Sequence, residues 1–214
     1  EKGDVKICIE QGEQWLHDFP LFLGINKKNP PQIAIWLEDT QGNYLSTVYV
    51  THKIATQSWQ ASGGNRRKEA LPHWCYSRGV KYDDGLYLPT KKEPLIDGIS
   101  GATPHESFDI KLNPATALKK FVVKIEINHS TDFNEAFPKS AKDGEANYSG
   151  GKEGSGQPAI VYAANVDLSK SEKSFEANLM GHSSPDGSSG EVNKDTSGLT
   201  TALHIVKRIT VIIQ

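Results

Sequence analysis

Pro30-Pro31-Gln32-Ile33-Ala34-Ile35-Trp36-Leu37-Glu38 carries the clearest structural signal in this chain. After the proline pair, the apolar side chains Ile33, Ile35 and Leu37 recur at every second position, which is the period of a half-buried β-strand. Residues 38–43 then combine acidic, amide and glycine residues, a composition typical of a hairpin turn. The pattern predicts two strands joined by a turn, and the second strand carries Leu45, Thr47 and Tyr49.

The same alternation recurs along the rest of the chain. It is found in residues 5–9, 108–112, 121–127, 160–168, 175–180 and 203–213. The one helix candidate, residues 114–120, is short and rich in lysine. Strands at such spacing without intervening helices indicate antiparallel pairing. We therefore predict an all-β fold, an immunoglobulin-like antiparallel β-sandwich of about eight strands.

We expect residues 1–214 to form a single β-sandwich domain with three irregular insertions. The first insertion, residues 57–92, is polar, basic and aromatic. The second, residues 134–157, is rich in glycine, serine and lysine and is expected to be a flexible loop. The third, residues 181–198, is expected to be a flexible loop or one that wraps around a ligand. Long irregular segments in a compact domain are usually functional or disordered, and aromatic residues make disorder less common.

Composition and charge exclude two classes of function. The 24 Lys and Arg residues against 26 Asp and Glu residues give a net charge of −2, so the general attraction for a phosphate backbone is missing and we expect no nucleic-acid partner. No run of about 20 apolar residues is present, so we expect no membrane span in this chain. The charged opening residues Glu1, Lys2 and Asp4 do not resemble a signal peptide.

The sequence contains no clear metal motif. Cys8 and Cys75 are too few for a zinc site without histidine, and either a disulfide or two separate thiols is compatible with the sequence. The seven histidines show neither H-x-x-x-H nor H-E-x-x-H spacing. A solvated turn is the favoured interpretation of the five candidate calcium ligands, Asp186, Ser188, Glu191, Asn193 and Asp195.

Aromatic side chains are concentrated in the first insertion. They could stack on a sugar or peptide, or they could pin the insertion to the sandwich, and pinning is the favoured interpretation. These residues are Trp59, Trp74, Tyr76, Tyr82 and Tyr87.

The sharpest local motif is Asp97-Gly98-Ile99-Ser100-Gly101-Ala102-Thr103. It resembles the acceptor motif D-x-x-[ST]-G-A-T of covalently flavinylated bacterial redox proteins, such as the FMN-carrying subunits of sodium-translocating quinone reductases. In that family a separate flavin transferase joins the FMN phosphate to the hydroxyl of the last threonine as a phosphoester.

By matching positions, the resemblance implies that Thr103 carries the flavin. Asp97, Ser100, Gly101 and Ala102 would complete the recognition sequence. The resemblance covers seven residues and ends at Pro104, where the family commonly continues with Leu-Thr-Ser. Because a transferase has to enclose the acceptor, we expect an exposed segment in which small residues permit close approach.

A longer resemblance combines residues 31–39 with Trp59 and residues 97–104. In this order they are similar to the bacterial domain of unknown function 2271. The resemblance implies an extracytoplasmic β-sandwich, in the periplasm or at the cell surface, that functions beside flavin transferases and membrane redox proteins. It assigns no reaction.

Two hypotheses of function follow. The first is a redox module that carries FMN on Thr103 and transfers electrons between partners. The second is a cofactor-free binding or adhesion-type sandwich that uses its aromatic loop or its Gly/Ser-rich loops. An enzyme with its own catalytic groups is the weakest reading, because no carboxylate pair, triad or metal cluster is evident from spacing. Exposure of residues 97–103 discriminates between the first two.

Overall fold

The computed structural model describes residues 4–20, 26–59, 66–95, 99–113 and 118–214. It is an all-β sandwich, which confirms the predicted fold class. In chain order the strands are β1 (Val5–Gln11), β2 (His17–Pro20), β3 (Asn26–Asn29), β4 (Gln32–Glu38), β5 (Tyr44–Thr51), β6 (Ile99–Gly101), β7 (Phe108–Leu112), β8 (Lys120–Asn128), β9 (Ile160–Asp167), β10 (Ser174–Glu176), β11 (Asn178–Ser183), β12 (Val192–Asn193) and β13 (Val206–Ile213).

Helical structure in the described ranges is short. The α-helices are α1 (His52–Thr56) and α2 (Pro72–Ser77), and 3-10 turns form at Gly151–Glu153 and Thr201–His204. None of these helices is long and apolar enough to cross a bilayer.

Two sheets form the sandwich. One has the strand order β10-β13-β1-β7, the other has the order β12-β11-β9-β8-β4-β5-β6, and β2 and β3 form a separate hairpin. Strand β1 pairs with β13, so the two ends of the described chain lie side by side. Within the described ranges, the strands pair antiparallel as predicted, except that β6 runs parallel to β5 at the edge of the larger sheet. An isolated bridge between Asp132 and Gly156 is also parallel.

The space between the sheets is filled by the side chains that the alternation predicted. Val5, Ile7 and Ile9 of β1 are buried against the larger sheet, and odd-numbered residues of β4 and β8 face them. Burial of each such aliphatic side chain contributes about 1.5–3 kcal/mol. This core holds the two sheets together.

Strand β4 is buried on both faces, whereas its alternation predicted a half-buried strand. All seven of its residues are buried. Its second face carries Ala34 and Trp36, which lie in a second core with Leu71 and Trp74 of the first insertion. The insertion therefore covers the outer face of the larger sheet, and Trp74 pins it there.

Glu126 connects this insertion to the sheet. It projects from β8, is fully buried, and its two carboxylate oxygens accept the backbone N–H groups of His73 at 3.1 Å and Trp74 at 2.8 Å. These N–H groups belong to the first turn of α2, where no intrahelical acceptor exists and a negative charge is favoured. Burial raises the pKa of Glu126 to about 7, partly offset by these donors.

Three predicted segments differ from the structure. The strand predicted at residues 175–180 is two strands, β10 and β11, which lie in different sheets. The last strand begins at Val206 because Leu203 lies in a 3-10 turn. Of the short helix candidate at residues 114–120, which is not expected to contribute to the fold, residues 114–117 lie outside the described residues, and Lys120 already belongs to β8.

The second insertion, residues 134–157, is irregular as expected, but its end is packed into the protein. Gln157 is buried and its side-chain amide donates to Asp132 Oδ2 at 2.9 Å. Asn128 at the end of β8 donates its side-chain N–H to the Gln157 carbonyl at 3.1 Å. Buried hydrogen bonds of this kind fix the segment, so its end does not behave as a flexible loop.

Replacement of Glu126 by alanine tests the connection between α2 and the sheet. We expect Glu126→Ala to lower the free energy of unfolding by about 2–4 kcal/mol, because it leaves two backbone N–H groups without an acceptor. Urea unfolding at pH 7.5 measures this change. Glu172→Ala, at an exposed position, serves as the control and should change it by less than about 0.5 kcal/mol. Equal stabilities of the two variants would contradict the assignment.

Candidate functional site

The acceptor-like motif lies at the edge of the larger sheet. Residues 99–101 form β6, which pairs with β5 so that Tyr49 lies opposite Ile99 and Thr51 lies opposite Gly101. The Tyr49 hydroxyl donates to the Gly101 carbonyl at 3.2 Å. Asp97 lies outside the described residues.

Exposure along the motif is uneven. Ile99 is 65 % exposed, and Ser100 and Ala102 are also exposed, in agreement with the expectation for an acceptor segment. Gly101 is half-buried. Thr103 is 5 % exposed, so the expected exposure is wrong for the residue that would carry the flavin.

The Thr103 hydroxyl has an internal partner. Its oxygen lies 2.9 Å from the hydroxyl oxygen of Thr51, at the end of β5. The Thr51 hydroxyl also accepts the backbone N–H of Ile33 at 2.9 Å and lies 3.3 Å from the Ile33 carbonyl. Thr103 is therefore tied to β4 and β5, and any reaction at its oxygen has to release this contact.

Thr103 also forms part of the wall of a cavity of about 450 Å³. Because β4 pairs antiparallel with both β5 and β8, the start of β4 and the ends of β5 and β8 lie at the same end of the sheet, which brings Gln32, Thr51 and His129 together. The other described wall residues are His17, Lys27, Asn29, Pro30, His52, Lys53, Trp59, Arg67, Ala102, His105, Ser130 and Glu153.

The cavity wall carries more positive than negative charge. Lys27, Lys53 and Arg67 contribute cations, and Glu153 is the one carboxylate among the described wall residues. Burial lowers the pKa of Lys53, and the charges of Lys27 and Arg67 lower it further. These side chains thus create a local positive potential that favours an anion.

Arg67 is held rigidly at the cavity wall. Its Nε donates to Glu69 Oε1 at 2.9 Å, its other nitrogens donate to the hydroxyls of Ser130 and Ser155, and its guanidinium carbon lies 4.7 Å from the centre of the Trp59 ring. The ion pair with Glu69 offsets much of its charge. Arg67 therefore positions Trp59 and joins the first insertion to the end of β8.

Four of the seven histidines line this cavity: His17, His52, His105 and His129. Sequence spacing could not reveal this grouping, because His17 begins β2 whereas His52, His105 and His129 come after β5, β6 and β8. Nε2 of His129 lies 2.8 Å from the Gln14 carbonyl, and burial lowers the pKa of His129 to about 3. In the described part of the chain, no group of three or more His, Cys, Asp or Glu residues is arranged to hold a metal ion.

Most aromatic residues of the first insertion serve packing. Trp74 is fully buried, and the rings of Tyr76 and Tyr87 stack at a centroid distance of 4.4 Å. Trp59 differs, because it is only partly buried and faces the cavity.

A second, more open cavity of about 670 Å³ lies against residues 181–198. Two of its carboxylates are engaged in turn contacts: Asp186 Oδ1 accepts the hydroxyl of Ser184 at 2.6 Å and the N–H of Ser188 at 3.0 Å, and Asp195 Oδ1 accepts the N–H of Ser197 at 3.0 Å. This segment begins inside β11 and includes β12, so it is partly strand and not wholly a loop. The contacts agree with the turn interpretation of the five candidate calcium ligands.

The two cysteines are separate free thiols. Cys8 lies in β1 and is half-buried, whereas Cys75 lies in α2 and is buried. Burial raises the pKa of both thiols, which reduces the fraction of each that is present as the reactive thiolate.

Comparison with known proteins finds no match to this chain among protein-family models, curated proteins or solved structures.

The buried His129 predicts a pH dependence of stability. The unfolded chain takes up a proton near pH 6.5, whereas the folded chain resists protonation to about pH 3, so this residue makes stability fall as pH falls below 6.5. His129→Gln, which keeps a donor for Gln14, removes the effect. Between pH 7.5 and pH 4.5 we expect the wild-type protein to lose about 2–3 kcal/mol relative to the variant. Parallel pH profiles in urea unfolding would contradict this expectation.

Proposed function

We propose that this protein is an extracytoplasmic redox module that carries FMN covalently on Thr103. A flavin transferase would attach the cofactor, and membrane redox proteins would be its electron partners. The observation that carries the proposal is the position of the motif's last threonine in the wall of a cavity that also contains Lys27, Lys53 and Trp59.

The residues of this cavity suit the chemical parts of FMN. A phosphate dianion is favoured near the ammonium groups of Lys27 and Lys53, and a planar ring system can pack beside Trp59. The cavity volume of about 450 Å³ is within the range of small-molecule sites. When bound, FMN supplies the electron-transfer chemistry, while the protein residues bind it, orient it and exclude water.

Attachment requires Thr103 to become accessible to the transferase. The strand that precedes it, β6, is three residues long, lies at the sheet edge and pairs only with β5 in the described sheet. Detaching such a strand breaks few hydrogen bonds, each of which contributes about 0.5–1.5 kcal/mol. The proposal therefore includes local opening of β6, in which the contact between Thr103 and Thr51 is broken before the phosphoester forms.

A cofactor-free binding domain is the second candidate, and the burial of Thr103 favours it. A hydroxyl that already has a partner in Thr51 needs no modification to be satisfied. In this case the open cavity beside residues 181–198 would be the binding surface.

Intact mass after co-expression with a flavin transferase, in an exported form, tests the proposal. The protein should gain the mass of FMN less one water. The Thr103 oxygen attacks the flavin-side phosphorus of a flavin adenine dinucleotide donor, the pyrophosphate P–O bond breaks, and AMP leaves with the threonine proton. Thr103→Ala should abolish the gain, whereas Thr40→Ala, at an exposed turn position, should retain it. If a known acceptor is modified under the same conditions and this chain is not, the covalent proposal is wrong and the second candidate is favoured.

A further inference from the structure

The cavity beside Thr103 contains a buried polar atom without a partner. Gln32, the first residue of β4, is 9 % exposed and lies in the cavity wall. Its side-chain oxygen Oε1 is buried and accepts no hydrogen bond from the residues that the structure describes. Buried acceptors are nearly always satisfied, so this oxygen points to a ligand that brings an N–H or O–H donor.

The cations of the same cavity are also incompletely neutralised. Lys27 and Lys53 form no ion pair with any carboxylate in the described ranges, and they lie close enough for the charge of Lys27 to affect Lys53. Two like charges at one site repel each other, and a bound anion removes that repulsion. The second requirement on the ligand is therefore a negative charge.

Trp59 adds a third requirement. Its ring nitrogen donates to Gln57 Oε1 at 2.9 Å, and Arg67 and Lys53 lie over its ring at 4.7 Å and 5.8 Å from the ring centre, so its orientation is fixed. A flat, conjugated ligand can pack beside this ring and contact the same two cations.

We propose that this cavity binds, without covalent attachment, a phosphorylated nitrogen heteroaromatic compound of the FMN type. Lys27 and Lys53 attract the phosphate, Gln32 accepts an N–H of the heterocycle, and Trp59 packs beside the ring. The inference rests on the proposed function in its choice of FMN as the ligand, but binding does not require the phosphoester on Thr103.

Fluorescence titration of the chain, purified without a flavin transferase, tests this inference with FMN and riboflavin as probes. Riboflavin lacks the phosphate, so FMN should bind about tenfold more tightly, and added salt should reduce this difference. Lys53→Gln should lower the affinity for FMN about fivefold and change the affinity for riboflavin by less than about twofold. The reason is that it removes one positive charge at an exposed position. Lys170→Gln, also exposed, is the matched control and should change neither.

Gln32→Leu probes the second contact. It removes the amide oxygen, so the affinities for FMN and riboflavin should both fall by about fivefold, because both compounds carry the same heterocycle. Circular dichroism and urea unfolding of each variant show whether the fold is retained. Lys53→Gln keeps the test decisive if Gln32→Leu does not fold.

Three results would overturn the inference: no binding of FMN at about 1 mM, equal affinity for FMN and riboflavin, or equal effects of Lys53→Gln and Lys170→Gln.

Failure of this inference is distinguishable from failure of the covalent proposal. Attachment to Thr103 without binding of free FMN overturns the inference alone. The covalent proposal alone is overturned if the wild-type chain and Thr103→Ala both bind free FMN but the wild-type chain gains no mass when it is co-expressed with a flavin transferase.

Discussion

The hydrogen bonds from α2 to the carboxylate of Glu126 are the contact on which the outer half of the molecule depends. A carboxylate buried in a sheet is costly, and the raised pKa of Glu126 records that cost. The cost is offset because the two acceptor oxygens meet two N–H groups that a helix start leaves without partners. Through this contact the first insertion is fixed against β4 and β8, and Trp74 is held in the second core.

Both cores consist mainly of aliphatic and aromatic side chains. The candidate site is connected with the polar groups that adjoin the outer core. The outer core lies beside buried polar pairs, among them Arg67 with Glu69 and the Trp36 ring nitrogen with Glu38 at 2.8 Å. Polar groups that are fixed in this way can be held at a cavity wall with defined orientation. The sheet therefore presents cations and an aromatic ring at one end without exposing its apolar core.

The sequence predicts those strands in which the apolar side chains of one face pack into a single core. Alternation in β1 and β8 reports a single apolar core, so these strands could be predicted. It could not predict the burial of Trp36, because the covering insertion lies far along the chain. Strand β6 carries no alternation over its three residues. For the candidate site, the motif could be identified locally, whereas the contact between Thr103 and Thr51 and the grouping of four histidines depend on strand pairing between distant residues.

The change of sheet at Ala177 has a consequence for the order of folding. Strands β10 and β11 lie in opposite sheets and are separated by this one residue, whose N–H donates to the Ile209 carbonyl at 3.0 Å. Many other contacts join residues that are far apart in the chain; within the smaller sheet, the pairing of β1 with β13 closes a loop of about 200 residues. The connection through Ala177 closes almost no loop, so the entropy lost in forming it is small. We therefore expect the two sheets to be aligned first at Ala177, where the entropy lost on closing the loop is small, and the long-range strand pairing to form later.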